Sequence, residues 1–241
     1  MMNVVKIDVL LPCYKPNNGW EEIVLKRFST LTTQFPTCSF GLIIVNDGSD
    51  EISFLGSIFQ IKNVISEVKF VILNKNMGKG YALREGLKIS DASIVMYTDI
   101  DWPYSDDSIS RVLEEVVSKK CNISAGSRDD NYYTNYTSDR KLVSVGLRTL
   151  IKSFLKLKVS DTQCGLKAFD EKGKNIFLKT TINRFLFDLE FVFLASNDSN
   201  LNINPVKVEL RDGVRFSRLK WGILTHEAFN FIKIIFKHIF K

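Results

Sequence analysis

The most constraining feature of this 241-residue sequence is an alternation of short apolar runs with amphipathic stretches over its first 130 residues. Most of the apolar runs are rich in Val and Ile and stop at Asp, Asn or Gly; they cover residues 4–11, 40–45, 68–73, 93–97 and 122–125. Such runs are typical of buried strands in a parallel sheet. The stretches at 20–34, 80–89 and 106–118 have helical spacing. The alternation predicts βαβ units, and hence an α/β fold with a mostly parallel central sheet flanked by helices.

The second half of the chain is less regular but continuous with the first. Residues 138–157 read as a basic amphipathic helix, 164–170 as a short strand or turn, 186–196 as a helix and 203–210 as a last strand. The sequence has no internal repeat, low-complexity segment or linker. We therefore expect one domain over residues 1–220, followed by an amphipathic C-terminal segment at 221–241.

Charge is concentrated at the C-terminal end. The chain carries 33 Lys and Arg against 27 Asp and Glu, a formal charge of +6, and residues 205–241 hold eight of the basic residues but three of the acidic ones. This distribution argues against general nucleic-acid binding and for an anionic surface or ligand met by the tail. Four widely spaced cysteines without a C-x-x-C pair predict reduced thiols rather than zinc ligands.

The tail is expected to lie on a membrane surface. As a helix, residues 221–241 place Trp221, Phe231, Ile235 and Ile239 on one apolar face, while Lys233, Lys237 and Lys241 lie opposite. Lysines inside the segment disfavour spanning. Lys6 and Asp8 interrupt the N-terminal apolar run, so we expect no signal peptide there. The prediction is a peripheral protein on the cytoplasmic face of a membrane; the alternative is a C-terminal helix packed on the sheet or on a second subunit.

Polar clusters follow four of the predicted strands. They occupy residues 12–14, 46–50, 74–80 and 98–101. Ligands of open α/β sheets bind beyond the carboxyl ends of the strands, so four such clusters together predict a nucleotide-type site.

Asp99 and Asp101 are the most specific of these polar residues. Positions i and i+2 of an extended segment face the same way, and two converging carboxylates favour a cation between them. Mg²⁺ often takes one or two carboxylates plus substrate phosphates. Gly78, Lys79 and Gly80 offer close backbone approach and a phosphate-seeking charge, although a plain helix-start turn would look the same.

The motifs together resemble glycosyltransferase family 2. They read, in chain order, P-C-Y, V-N-D-G-S-D, N-M-G-K-G-Y-A-L-R-E-G-L, Y-T-D-I-D and A-G-S-R, followed by D-T-Q-C-G-L-K-A-F at 161–169 and F-D-L-E at 187–190. The last two are similar to the branch that transfers a sugar to a polyprenyl or dolichyl phosphate. The resemblance covers about residues 5–220 and implies the nucleotide-sugar-binding GT-A fold.

The resemblance also implies residue roles. The donor-binding residues would be Pro12, Tyr14, Asp47, Gly78, Lys79 and Asp99, with Asp99 and Asp101 holding Mg²⁺ or Mn²⁺. The acceptor phosphate would meet Arg128, Arg140, Ser144 and Gln163. The reaction centre would contain Asp101, Asp161, Asp188 and Glu190.

Two positions depart from the family pattern. Asn46 stands where the family usually has an aspartate, so base or ribose contacts are expected to differ. Pro103 stands where some relatives have a glutamine metal ligand, so water or substrate would complete the coordination shell.

The expected reaction is an inverting, single-displacement transfer from a nucleotide-sugar to a polyprenyl phosphate. A phosphate monoester is already a dianion near neutral pH and needs positioning more than a general base. Asp161 would then orient an arginine or a sugar hydroxyl. One alternative is transfer to a hydroxyl of a polysaccharide or glycolipid, which needs a base such as Asp188 or Glu190. The others are a non-catalytic nucleotide-sugar or lipid-phosphate binding module and a nucleotidyltransferase.

Overall fold

The computed structural model describes residues 4–128, 161–214 and 231. A seven-stranded mixed sheet forms its centre, with strand order β3-β2-β1-β4-β6-β5-β7. The strands are β1 (Val5–Cys13), β2 (Cys38–Asp47), β3 (Val68–Leu73), β4 (Ile94–Tyr97), β5 (Ile123–Arg128), β6 (Lys167–Asp170) and β7 (Ile203–Val208). The helices are α1 (Trp20–Gln34), α2 (Glu51–Val64), α3 (Lys79–Ile89), α4 (Asp106–Val117), α5 (Glu171–Leu178) and α6 (Phe187–Ser196).

Two apolar clusters on opposite faces of the sheet make a three-layer structure. Helices α1, α2 and α4 contribute to one cluster, and α3, α5 and α6 to the other. Strand β1 supplies both: Val9 and Leu11 belong to the first cluster and Leu10 to the second. This two-sided burial explains why the strands read as continuous apolar runs.

The sheet is parallel except around β6. β6 lies antiparallel between β4 and β5, whereas β3, β2, β1 and β4 are mutually parallel and β5 is parallel to β7. The predicted mostly parallel α/β sheet with flanking helices is therefore confirmed. Pairing brings Cys13 opposite Asn46 and Leu10 opposite Tyr97, so the carboxyl ends of β1, β2 and β4 reach one edge.

Most predicted elements of the first half occur, with shifted ends. Strand β1 continues through Pro12 to Cys13, beyond the predicted end at Leu11. The register with β4 stops at Leu10, so Pro12 lies where that side of β1 has no strand partner and its missing N–H costs no ladder bond. Two helices, α2 and α5, were not predicted, and the predicted helix at 138–157 lies outside the described residues.

The C-terminal segment at 221–241 is described at one residue. Phe231 is helical and packs against the apolar cluster beneath α3, α5 and α6. The other residues of this segment lie outside the described part of the chain, so its membrane-surface role stays a prediction. No helix among the described residues is both long and apolar enough to cross a membrane.

Candidate active site

A cavity of about 710 Å³ lies at the shared carboxyl edge of β1, β2 and β4. All seven residues predicted for donor and metal binding line it: Pro12, Tyr14, Asp47, Gly78, Lys79, Asp99 and Asp101. Cys13, Asn76, Ile100, Pro103, Arg184 and Phe185 complete the described lining. Tyr14 is 46% exposed, so its ring is accessible from the cavity. The cavity thus brings together residues of the P-C-Y and D-x-D motifs that are as much as 89 positions apart, from Pro12 to Asp101.

The two aspartates of the D-x-D motif follow β4 directly. Asp99 Oδ1 accepts a hydrogen bond from Lys79 Nζ at 2.5 Å. Burial lowers the pKa of the Lys79 ammonium, but attraction by Asp99 and Asp188 outweighs it and the net pKa is raised. Removal of water around the Asp101 carboxyl, and next the charge of Asp99, raise the pKa of Asp101. The pair therefore carries the carboxylate crowding that a bound cation would relieve.

The D-x-D loop is held by a residue from far along the chain. Trp102, which has a left-handed φ of 44°, donates its backbone N–H to Asp99 O at 2.9 Å. Arg211 Nε donates to Trp102 O at 3.0 Å, and Arg211 Nη2 donates to Asp101 O at 3.2 Å. Sequence reasoning had grouped Arg211 with the basic residues of the tail. The structure places it instead against the backbone of the motif.

Asp47 organises the neighbouring loop. Its carboxylate accepts hydrogen bonds from Asn76 Nδ2 at 2.9 Å, Met77 N at 2.7 Å and Gly78 N at 2.9 Å. Burial raises the pKa of Asp47, and these backbone donors act in the opposite direction. Asp47 therefore lines the predicted nucleoside side of the cavity while its oxygens fix the backbone of residues 76–78.

Asn46, the departure from the family pattern, is fully buried and closes a turn. Its Oδ1 accepts from Ser49 N at 2.8 Å, and its Nδ2 donates to Ser49 O at 3.2 Å. An aspartate could accept the first bond but not donate the second. The amide is thus used within the V-N-D-G-S-D turn.

The glycines around Lys79 accommodate the protein's own backbone. The amides Gly80 N and Tyr81 N at the start of α3 donate to Asn183 O, at 2.8 and 3.3 Å. A Cβ at Gly78 would collide with that carbonyl, and one at Gly80 would lie 2.6 Å from Ile182 O. The close approach expected for a phosphate is therefore made by residues 182–183, and these helix-start amides are already occupied.

Asp161 and Arg128 form an ion pair beside the sheet edge. Arg128 Nε donates to Asp161 Oδ2 and Arg128 Nη2 to Oδ1, both at 2.7 Å, and Arg128 N donates to Oδ2 at 2.9 Å. Asp161 is fully buried. Its carboxylate therefore holds the Arg128 guanidinium in place, while its role in the reaction stays a prediction. Gln163 lies on the same loop, and its buried Nε2 has no hydrogen-bond partner in the described part of the chain.

Asp188 and Glu190 do not line the cavity. Asp188 Oδ1 accepts from Lys167 Nζ at 2.6 Å and from the Tyr97 hydroxyl, and Asp188 is 4% exposed. Glu190 is 1% exposed and accepts hydrogen bonds from residues 181 and 182. The structure thus assigns both carboxylates internal hydrogen-bonding partners. Arg140 and Ser144, predicted to grip the acceptor, lie outside the described residues.

Arg184 and Phe185 were missed by sequence reasoning. They line the cavity from the loop between α5 and α6 and precede F-D-L-E by two residues. A basic residue followed by an aromatic one just before that motif was the available signal. Nothing local marks the pair as facing a site about 100 positions earlier in the chain.

The donor set suits a hard divalent cation completed by substrate. Asp99 and Asp101 offer carboxylate oxygens, and Pro103 offers no side-chain ligand. Among the described residues, no group of three or more His, Cys, Asp and Glu side chains could hold a metal. Two carboxylates with diphosphate oxygens and water are an ordinary environment for Mg²⁺ or Mn²⁺.

Residues 8–175 match the family model described as glycosyl transferase family 2. The chain belongs to this family. The matched range includes the strand-end clusters and the D-x-D motif, so the family 2 assignment and the cavity rest on the same residues.

Several curated relatives of this family 2 chain are named dolichyl-phosphate beta-glucosyltransferase. A dolichyl-phosphate beta-glucosyltransferase of Trichomonas vaginalis is 30% identical over 249 aligned positions, covering 97% of this chain and 74% of the relative. Its namesakes in Dictyostelium discoideum and Homo sapiens are 28% and 27% identical; they cover 70% and 79% of this chain. The chain spans 54% of the Dictyostelium protein and 63% of the human one.

Solved structures agree on the fold. Mannosyl-3-phosphoglycerate synthase from Rubrobacter xylanophilus superposes with a TM-score of 0.69 at 13% identity, covering 98% of this chain and 74% of that one. Glucosyl-3-phosphoglycerate synthase from Mycobacterium tuberculosis, solved with Mn²⁺, UDP-glucose and phosphoglyceric acid, gives 0.63 at 13% identity, with coverage of 97% and 79%. The family 2 chain therefore has the GT-A architecture of these glycosyltransferases.

Proposed function

We propose that this family 2 chain transfers a sugar, with inversion, from a nucleoside diphosphate to a dolichyl or related polyprenyl phosphate. The observation that carries the proposal is the convergence of Tyr14, Asp47, Lys79, Asp99 and Asp101 in one cavity. The names of the curated relatives support the lipid-phosphate acceptor.

The environment of the other carboxylates favours a phosphate acceptor over a hydroxyl. A hydroxyl acceptor requires a general base within reach of the reacting atom. Asp188 and Glu190, the candidates for that role, are buried, engaged in hydrogen bonds and absent from the cavity lining. A phosphate dianion does not require such a base at neutral pH.

In the proposed reaction, an acceptor phosphate oxygen forms a bond to the anomeric carbon as the bond to the diphosphate breaks on the opposite side. A Mg²⁺ or Mn²⁺ ion held by Asp99 and Asp101 would supply Lewis-acid stabilisation of the leaving diphosphate. Lys79, bonded to Asp99, adds positive charge beside the same carboxylate. Asp47 holds residues 76–78 in place against the nucleoside half of the donor.

The acceptor is proposed to approach from the side of Arg128, Gln163 and the segment that carries Arg140 and Ser144. Asp161 fixes the Arg128 guanidinium, so the arginine is oriented before substrate arrives. Since the acceptor is a lipid, we further propose that the protein works peripherally at the cytoplasmic face of a membrane.

A substrate panel tests the proposal. Purified full-length protein is incubated with a short polyprenyl phosphate, Mn²⁺ or Mg²⁺, and each of several UDP- and GDP-sugars, and the lipid product is analysed by mass spectrometry and for anomeric configuration. We expect EDTA-sensitive formation of one inverted polyprenyl-phosphate sugar. Transfer only to a hydroxyl acceptor would support the alternative reading, and donor binding without any transfer would support a binding module.

A further inference from the structure

The loop between α5 and α6, residues 179–186, is held by hydrogen bonds to Glu190 of α6. Glu190 Oε2 accepts from Thr181 N at 2.7 Å and Ile182 N at 2.8 Å, and Glu190 Oε1 accepts from the Thr181 hydroxyl at 3.0 Å. A buried carboxylate that accepts three hydrogen bonds holds its donors firmly. The first half of the loop is thus fixed to α6.

The same loop is also anchored to α3. Arg84 donates to Thr180 Oγ1 at 3.2 Å, to Ile182 O at 2.9 Å and to the Asn183 side chain. Asn183 O in turn accepts from the first amides of α3. The backbone just before the next residue, Arg184, is therefore held by hydrogen bonds to both α6 and α3.

Arg184 itself is directed to the cavity and is exposed. Its guanidinium has no hydrogen-bond or ion-pair partner among the described residues, and it acts on Asp47 only through its charge, which favours a lower pKa of that carboxyl. An arginine on a fixed backbone with unused donors is suited to bind an anion.

The charges around the cavity indicate where an anion would bind. Its described lining holds three carboxylates, Asp47, Asp99 and Asp101, and two cations, Lys79 and Arg184. Lys79 is paired with Asp99, and the Asp47 oxygens are taken up by the 76–78 loop. Arg184 is thus the lining cation without an ion-pair partner in the described chain, and it lies on the Asp47 and Gly78 side rather than beyond the D-x-D motif.

We propose that Arg184 binds the phosphates of the donor's nucleoside diphosphate by hydrogen bonds from its guanidinium. This inference rests on the proposed function and adds a donor-binding residue to it. The guanidinium fork matches two phosphate oxygens, and the anchoring of residues 180–183 reduces the entropy lost on binding.

The test measures binding without turnover. Isothermal calorimetry with UDP and GDP in the presence of Mn²⁺ compares wild type with Arg184→Gln, Arg184→Lys and the control Lys88→Gln. Lys88 pairs with Glu85 on the exposed side of α3, so its substitution removes the same charge away from the cavity. Uridine and guanosine, followed by ligand-detected NMR, serve as phosphate-free probes.

We expect Arg184→Gln to weaken diphosphate affinity by about 10- to 100-fold, Arg184→Lys by less, and Lys88→Gln to leave it unchanged. Nucleoside binding should be the same in all four proteins, and melting temperatures should agree because the Arg184 side chain makes no hydrogen bond or ion pair with the described residues. Wild-type affinity for the diphosphate in Arg184→Gln would overturn the inference. So would an equal loss of nucleoside binding. If wild type bound neither nucleoside diphosphate, the proposed function itself would fail.

Discussion

Carboxylates in this chain differ sharply in what surrounds them, although the sequence presents them alike. Asp161, Asp188 and Glu190 are nearly or fully buried and accept hydrogen bonds from nearby protein groups. Asp99 and Asp101 instead line the cavity. Burial with satisfied hydrogen bonds indicates a positioning role, whereas cavity exposure with crowding indicates ligand binding.

Asp101→Asn is expected to lower turnover by at least ~10²-fold, because it removes one of two carboxylates proposed to hold the cation. Initial rates at saturating donor and varied Mn²⁺ measure the effect. Asp107→Asn is the matched control, since Asp107 is 77% exposed and pairs with Arg111 on the surface of α4. An Asp101→Asn enzyme with undiminished, EDTA-insensitive activity would contradict the metal assignment.

Glu190 allows stability and catalysis to be separated. Glu190→Ala leaves Thr181 N and Ile182 N without their acceptor and should cost about 2–4 kcal/mol of unfolding free energy, measured by urea denaturation. Glu190→Gln keeps an oxygen for both amides and should cost less than about 1 kcal/mol. The exposed Glu67→Ala provides the reference.

Glu190→Gln also tests the alternative reaction, in which Glu190 is a general base for a hydroxyl acceptor. If Glu190 only supports the 179–186 loop, Glu190→Gln should retain most of its transfer activity. A well-folded Glu190→Gln protein without activity would instead favour Glu190 as a general base.

Whether a site residue could be predicted depends on whether it follows a strand or lies on a loop that tertiary contacts position. Asp47, Lys79 and Asp99 follow strands that the apolar runs reveal, and parallel strands place their ends on one edge. Arg184 and Arg211 come from loops whose position depends on tertiary contacts with α3 and with residues 101–102. No local pattern encodes such contacts, so sequence reasoning could not place them.

At the scale of elements, the missed helix α2 shows where periodicity fails. Its sequence is apolar around most of its circumference: Phe54, Ile58 and Ile61 are buried, while Leu55 and Phe59 are 48% and 68% exposed. An amphipathic pattern is therefore absent, and an apolar run of this kind does not distinguish helix from strand. The position of β6 was equally hidden, because pairing between β4 and β5 is set by long-range contacts rather than by its four residues.

Arg211, in the segment after β7, holds the D-x-D loop by two hydrogen bonds, and Arg211→Ala tests how much they contribute. Loss of the two bonds to Asp101 O and Trp102 O should lower the unfolding free energy by about 1–2 kcal/mol and weaken Mn²⁺-dependent donor binding several-fold. Lys172→Ala, on the exposed side of α5, is the control. Unchanged stability and donor affinity, with reduced binding to anionic liposomes, would instead support the membrane-binding role first expected for Arg211.

For the whole molecule, the proposed function requires a soluble donor to meet a lipid acceptor. Residues 205–241 carry the basic excess, and we propose that they attract the protein to anionic lipid, at about 1 kcal/mol per basic residue near the surface. Phe231 packs on the protein core, so deleting 221–241 would also uncover apolar surface. A charge substitution is therefore the cleaner probe.

Lys233→Glu combined with Lys237→Glu should abolish flotation with anionic liposomes at low salt, whereas the wild-type chain should float and be released by high salt. Neutral liposomes control for lipid composition, and the double variant Lys172→Glu, Lys179→Glu, at two exposed positions, controls for net charge. If wild type and the tail variant float equally, or if neither floats, the tail does not mediate membrane attachment.

The strand order has a consequence for the chain during synthesis. β5 pairs with β6 and β7, and β6 also completes the edge of β4, yet β6 begins about 40 residues after β5 ends. At about 5–20 residues per second the ribosome needs some 2–8 s to supply it. Throughout that interval three strand edges, one of β4 and both of β5, await the later strands that pair with them, and unpaired edges are templates for aggregation. We therefore expect the nascent chain to be more prone to aggregation in the few seconds before β6 inserts between β4 and β5 than after it.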